Sequence, residues 1–323
     1  MSTSGSYSFT VTRDQIIRDA MLNIGRLDET EAPTAQEITD IAFKLNMLMK
    51  QWMGKTDFAP GLKVWTRRRG AMFLKQTVGP YALGPSCTTG WTVNTPVDVN
   101  TTAASAAAAT SISIPVGTLV SPGMYIGIQI ATGSLYWTTI AAVALPVVTL
   151  TAALPSAVNS GAQVFAFTTI AQAPLNVSAV VLRDNSNSDT PMNKLTSEEY
   201  DFLSNKMDPT NTGDPTAFYF EEQLGYTNIY TDIAVAQDVT KYFVITFMEP
   251  VQDVLAPSDN FEYPQEWFLA LSWGLSKQIA PMFTAPWTPA HQAAYADALA
   301  IAQQKSPETT ALYFQPNEYG SGG

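Results

Sequence analysis

The chain has 323 residues, 46% apolar and only 14% charged, against about a quarter charged in an ordinary soluble domain, and so is not a disordered tail. Its formal net charge of −11 argues against a protein that works by neutralising nucleic-acid phosphates, because such binding needs Lys and Arg in excess. A single cysteine, Cys87, excludes an internal disulfide, and a single histidine, His291, excludes a metal cage built from histidines.

The charge is segregated along the chain. Residues 1–75 carry 11 basic and 8 acidic side chains (+3), residues 76–182 carry Asp98 alone (−1), and residues 183–323 carry 6 against 19 (−13). The length favours about two domains. The N-terminus lacks the basic segment and apolar run of a signal peptide, so secretion by that route is not expected. The uncharged middle is broken by Gly, Pro, Ser, Thr and Asn and never reaches the ~20 apolar residues of a membrane span.

Two helices are predicted first. Thr12 with Gln15 spells a capping box, followed by Ile16, Ile17, Ala20, Met21, Ile24 and Leu27 at helical spacing, with Gly25 near the stop. Thr34 with Glu37 spells a second box, and Ile38, Ile41, Ala42, Leu45, Leu48, Met49 and Trp52 keep the pattern up to Gly54. The short link between them predicts an antiparallel pair.

After Pro60 the period falls to two. Ser111–Val120, Met124–Ile130, Leu135–Val143, Val147–Leu154 and Gln163–Ile170 read as strands punctuated by Gly and Pro, giving a small antiparallel module at about 85–172. Further strands are predicted at Val177–Arg183, Ala217–Gln223, Asn228–Val235 and Tyr242–Met248, with a short helix capped at Thr196 or Ser197. Helical spacing returns after Pro264 with Trp267, Phe268, Leu271, Leu275 and Ile279. A last helix opens at Thr288-Pro289 and runs to Pro307.

The expected class is therefore α+β: terminal helical hairpins forming an α-helical bundle, with a large antiparallel β insertion between them. The expected parts are an N-terminal hairpin at 1–59, a β-rich insertion at 60–262, a C-terminal hairpin at 263–306 and a tail at 307–323.

Catalytic signatures are sparse. His291 opens an Ala-rich helix with no nucleophile elbow in the sequence, and phosphate-cradling glycine motifs are absent. Glu198 with Asp201, and Glu221 with Glu222, are the carboxylate pairs to weigh. The first occupies a predicted opening turn, where acids suit the helix dipole, and strand neighbours such as 221 and 222 point to opposite faces. The run Asp184 to Asp189 alternates oxygen-bearing side chains but lacks the Gly and Glu of a calcium loop. No catalytic residue, metal or cofactor is expected.

Two binding features stand out. Lys63, Arg67, Arg68 and Arg69 form the densest basic cluster, readable as a strand edge guarded by cations or as a contact for an acidic partner or a passing DNA backbone. Leu312, Tyr313, Phe314 and Tyr319 sit in an aperiodic tail, readable as a segment that orders on a partner or as a loose return along the chain's own surface.

The chain resembles the head-to-tail adaptor proteins, or tail accessory factors, of short-tailed bacteriophages. The resemblance is carried by Thr12-Arg-Asp-Gln-Ile-Ile-Arg-Asp-Ala-Met-Leu-Asn-Ile-Gly25, Thr34-Ala-Gln-Glu-Ile and Met47-Leu-Met-Lys-Gln-Trp52. On the C-terminal side it is carried by Tyr263-Pro-Gln-Glu-Trp267 and Leu271-Ser-Trp-Gly-Leu-Ser-Lys-Gln-Ile-Ala-Pro281, and between them by Tyr200-Asp-Phe-Leu-Ser-Asn-Lys206 and Gly213-Asp-Pro-Thr216. It implies a non-enzymatic virion protein, assembled in the host cytoplasm, that forms a dodecameric ring with copies of itself below the portal protein. Tail nozzle or fibre proteins would bind beneath, and genomic DNA would pass through without sequence-specific contact or any membrane. It further implies that the tail residues dock on the portal and that Trp52, Trp267, Leu271 and Ile279 pack between subunits. The alternative reading is a virion-associated carbohydrate-binding module or cell-wall-degrading enzyme carried by the β insertion, suggested by Tyr125, Tyr136 and Trp137.

Overall fold

A computed structural model describes residues 9–53, 66–74, 79–85, 90–206, 208–236 and 240–304. The chain divides into two compact units, one formed by residues 1–65 with 251–323 and the other by residues 66–250.

The helices in chain order are α1 (Arg13–Asn23), α2 (Ala35–Met53), α3 (Ser197–Asp201), α4 (Phe268–Ile279) and α5 (Pro289–Gln304). The strands are β1 (Arg67–Phe73), β2 (Tyr81–Leu83), β3 (Trp91–Thr92), β4 (Val97–Asn100), β5 (Ser111–Ser113), β6 (Tyr125–Gln129), β7 (Leu135–Ala144), β8 (Val147–Leu150), β9 (Gln163–Phe167), β10 (Asn176–Arg183), β11 (Asp189–Pro191), β12 (Asn193–Lys194), β13 (Thr212–Gly213), β14 (Ala217–Gln223), β15 (Tyr226–Thr231), β16 (Ala234–Val235) and β17 (Tyr242–Met248).

In the first unit, local chemistry sets the helix starts. Gln15 N–H donates to Thr12 Oγ1 at 3.4 Å while Thr12 N–H donates back to Gln15 Oε1 at 2.9 Å. Thr34 and Glu37 exchange the same pair at 3.3 and 2.9 Å, so the first free N–H groups of both helices are satisfied. α1, α2 and α5 all pack on α4. The seam between α1 and α4 is polar: Asn23 Nδ2 donates to Ser272 Oγ at 3.0 Å and to Ser276 Oγ at 3.3 Å, and Ser276 Oγ also donates to the Ala20 carbonyl at 3.1 Å. Ser272 Oγ donates to the Asp19 carboxylate. Against α2, Gly274 gives up its side chain, since a Cβ there would stand 2.9 Å from the Trp52 ring.

The expected fold class is corrected by this arrangement. Strand outweighs helix, with four sheets against five helices among the described residues, and the helices are short. They do not assemble as two terminal hairpins bundled together. The reason lies in α4, where Phe268, Ala270, Leu271, Ser272, Gly274, Leu275, Ser276 and Ile279 are all buried. A helix buried on nearly every side collects neighbours around itself instead of lending one stripe to a hairpin partner. The sheets also depart from a purely antiparallel insertion, because β12 runs parallel to β14 and β13 parallel to β16.

The second unit is a sandwich carrying a smaller β module. The five-stranded sheet β11-β10-β17-β1-β3 and the four-stranded sheet β12-β14-β15-β2 supply one apolar core, including Met72, Tyr81, Trp91, Phe218, Phe243 and Phe247. The module is the six-stranded sheet β4-β9-β6-β7-β8-β5 around Ile112, Ile126, Ile128, Val148 and Val164. Its expected first strand, Ser111–Val120, ends at Ser113: Pro115 has no N–H to give a ladder and Gly117 turns the chain at φ +93°.

Phe73 on β1 ties module to sandwich. Its ring lies 4.5 Å from Phe165, 5.2 Å from Trp137 and 5.6 Å from Tyr242, centroid to centroid. Offset and tilted aromatic pairs of this kind add directional contacts to the burial itself.

Candidate functional site

The polar residues weighed for chemistry are occupied by local structure. His291 lies in the first turn of α5, its N–H donating to Thr288 Oγ1 at 3.3 Å and its Nδ1 accepting from Thr288 N–H at 3.5 Å. The Trp273 and Trp287 rings stand 5.9 and 5.4 Å from it. Glu198 opens α3, and its neighbour Glu199 accepts the Thr196 N–H at 2.8 Å in a third capping box, a bond that lowers the Glu199 pKa. Asp201 lies 3.5 Å from Lys206. Glu221 accepts the Tyr230 hydroxyl at 3.1 Å, while Glu222 follows it on β14. Asp184 Oδ1 accepts the N–H groups of Ser186 and Ser188 at 2.8 and 2.9 Å, turning the run of oxygens into a closed loop. Among the described residues no three His, Cys, Asp or Glu side chains are grouped to hold a metal, and no helix is long and apolar enough to cross a membrane.

The basic row starts β1. Arg67, Arg68 and Arg69 are exposed, whereas Gly70 to Phe73 are buried. β17 pairs with β1 along its whole length but β3 reaches only Ala71 and Met72, which explains the division. Arg68 Nε lies 3.3 Å from Glu249 Oε2. Arg69 borders a cleft of about 220 Å³ whose rim also includes Asn94, Thr95, Arg183 and Tyr242. Arg183 forks onto Asp189 at 2.6 and 2.8 Å, and these bonds hold the Asp189 carboxyl below the usual carboxylate range. The row is thus partly neutralised within its own sheet. Lys63 and Cys87 lie outside the described residues, as do Leu312, Tyr313, Phe314 and Tyr319.

Trp52, Trp267, Leu271 and Ile279, expected between subunits, are buried inside the helical unit; the two indoles meet edge to face at 5.9 Å. The exposed apolar groups of this unit lie elsewhere. Phe43 and Met47, one turn apart on α2, line a groove of about 600 Å³ with Leu255. Its far wall is pinned by Asn46, whose Nδ2 donates to the Val254 carbonyl at 3.0 Å and whose Oδ1 accepts the Val254 N–H at 3.1 Å. Lys50 Nζ adds a bond to the Val251 carbonyl at 2.9 Å and an ion pair with Asp253 at 2.7 Å. A signal for this groove stands in the sequence: Phe43 and Met47 are spaced i, i+4 on the side of α2 opposite its main apolar stripe.

The aromatic residues that suggested a sugar platform are engaged by protein. Tyr125 stacks on Phe167 at 5.4 Å, Trp137 packs on Phe73 and Phe167, and Tyr136 lies against the module core.

Compared with models of known protein families the chain matches none, and no curated protein matches it either.

Proposed function

We propose that the chain is a structural head-to-tail adaptor of a short-tailed phage virion, one copy of a ring that joins the portal to the tail and leaves a path for DNA. The observation that supports this best is the groove of Phe43, Met47 and Leu255: large apolar side chains left in water beside a pinned, ordered wall are suited to another protein. The sequence resemblance points the same way, and a net charge of −11 suits a conduit that should not grip phosphate. In this reading the protein catalyses nothing. The tail bearing Leu312, Tyr313, Phe314 and Tyr319 docks on the portal, nozzle or fibre proteins bind below, and the place of action is the virion neck.

The test is electron microscopy of the full chain mixed with rings of the cognate portal protein. Added density on one face of the ring is expected, and a chain ending at Ser306 should lose it. Portal rings that stay bare in the presence of the full chain overturn the reading.

A further inference from the structure

The cleft beside Arg69 is lined by two guanidiniums and no carboxylate, in a chain whose net charge is −11. We infer that it binds a carboxylate carried on a short apolar stem, with Arg69 as the receiving cation, Asn94 and Tyr242 as further donors, and Val93 and Val244 against the stem.

Strand register places these groups on one surface. Side chains two apart on a strand share a face, so Arg69 projects on the same side of β1 as Phe73, and Val244 on the same side of β17 as Tyr242. Tyr242 stands opposite Phe73 in one ladder and opposite Arg183 in the next. The Phe73 and Tyr242 rings both meet Phe165 of the module. The cleft therefore lies on the module side of the five-stranded sheet, where residues 93–96 leave β3 for β4.

Three donors have protons to give. Arg69 makes no ion pair among the described residues. Its charge does reach Asp189, whose carboxyl is held low first by the Arg183 bonds and then by the positive charges of Arg183 and Arg69. Arg183, its fork spent on Asp189, also bonds the Tyr242 oxygen, and a phenol that accepts from a guanidinium keeps its own proton to donate. Asn94 Oδ1 accepts the Thr168 and Thr169 hydroxyls at 3.0 and 2.8 Å, which turns Nδ2 the other way, where it has no protein partner among the described residues.

Charge and size select the ligand. Two guanidiniums against Asp189 leave one positive charge, matched by one carboxylate, and the planar fork of Arg69 fits a carboxylate's two oxygens. At about 220 Å³ the cleft is smaller than the ~300–1,000 Å³ sites of drug-sized ligands, so it takes a group and not a cofactor. Val93 and Val244 reward a hydrocarbon stem, which inorganic phosphate lacks. A phosphodiester also bears a single charge, but it arrives in a polyanion that the chain as a whole repels. The cleft owes nothing to the adaptor reading, which stands or falls by portal binding.

Saturation-transfer NMR of the full chain titrated with sodium butyrate, read on the butyrate methyl, tests the site. Binding at about 1–10 mM is expected for one charged fork and a short stem. Arg69→Gln should weaken it at least about tenfold, and Arg69→Lys by less, because lysine keeps the charge and loses the fork. Arg68→Gln removes the same charge from the other face of β1 and should leave binding unchanged. Arg69 and Arg68 are exposed, so all three variants should unfold at the parent's temperature. No transfer at about 50 mM butyrate, unchanged affinity in Arg69→Gln, or equal losses in Arg69→Gln and Arg68→Gln each overturns the inference. Sodium phosphate and a short oligothymidylate are the competing anions, and displacement of butyrate by either at an equal or lower concentration overturns the carboxylate assignment. N-acetylglutamate α-amide separates two sources of the same chemistry. Tighter binding than butyrate assigns the site to an acidic side chain of a partner protein, and weaker binding assigns it to a small free acid.

Discussion

The indole of Trp137 occupies the space that a side chain at Gly127 would need: a Cβ at Gly127 would stand 2.6 Å from the ring. The two residues face each other across the β6–β7 ladder, and the same ring packs on Phe73 of the sandwich. Gly127→Ala should therefore push the indole off its seat and loosen the module's junction. The expected cost is about 1–3 kcal/mol, the range for overpacking a filled site. Denaturant unfolding of Gly127→Ala and of the double variant with Trp137→Leu checks it: the second change should recover part of the loss, and additive losses count against the steric account.

A similar close approach holds the helices. A methyl group added to Gly274 of α4 would stand 2.9 Å from the Trp52 ring and 3.2 Å from Leu48, both on α2. Gly274→Val should cost about 1–3 kcal/mol or more, because a branched side chain meets two buried neighbours at once. Tryptophan emission should shift to the red as Trp52 is displaced toward water. An unchanged spectrum and midpoint would show that α2 yields without strain.

The Arg183–Asp189 pair gives a pH dependence whose sign can be fixed. Asp189 titrates below its ordinary value of about 3.9 because Arg183 donates two hydrogen bonds to the ionised form. The unfolded chain therefore takes up this proton at higher pH than the fold does. The contribution is fully present above about pH 4 and fades as the pH falls through the lower, folded value. Both side chains are partly in water, at 26% and 38% exposure, so the contribution should stay below about 1 kcal/mol. Asp189→Asn should be less stable than the parent at pH 6, and the gap should narrow steadily as the pH falls below about 4. A gap that persists in acid assigns the effect to shape instead of charge.

The capping boxes invite the simplest test. Thr34→Ala removes the hydroxyl that accepts the Glu37 N–H, and should cost about 1 kcal/mol. Thr34→Ser should keep nearly all of the stability, as read by thermal unfolding followed at 222 nm. Equal losses for both would mean that the threonine methyl, not the oxygen, matters.

These caps are legible in the sequence because each is a local exchange between residues three apart. β14 and β17 are legible too, with the bounds Ala217–Gln223 and Tyr242–Met248, because their residue types are those of strands. What depends on distant partners is not. Periodicity marks which face of a helix is apolar but not which helix meets it, so it hides the role of α4 as a hub and offers Trp52, Trp267, Leu271 and Ile279 to an interface as readily as to a core. Arg67-Arg-Arg-Gly-Ala-Met-Phe73 reads as a basic cluster because its charged half protrudes past β3, although its buried half lies between β17 and β3. The groove at Phe43 and Met47 is half legible: their i, i+4 spacing off the main stripe of α2 stands in the sequence, but the pinned segment carrying Leu255, which makes a wall opposite them, does not.

That groove separates assembly from folding. Phe43 and Met47 are exposed, so Phe43→Ser with Met47→Ser removes little burial and should change stability by no more than about 0.5 kcal/mol. Trp52 on the same helix is buried, and Trp52→Ala should cost about 3–5 kcal/mol. If the groove is an assembly surface, the first variant folds like the parent but fails to build a closed ring on the portal, as seen in electron micrographs. The second variant should lose both together, in proportion to the fraction unfolded. Complete rings from the groove variant would move the assembly surface elsewhere on the chain, and a stability loss in that variant would mean that Phe43 and Met47 serve the fold after all.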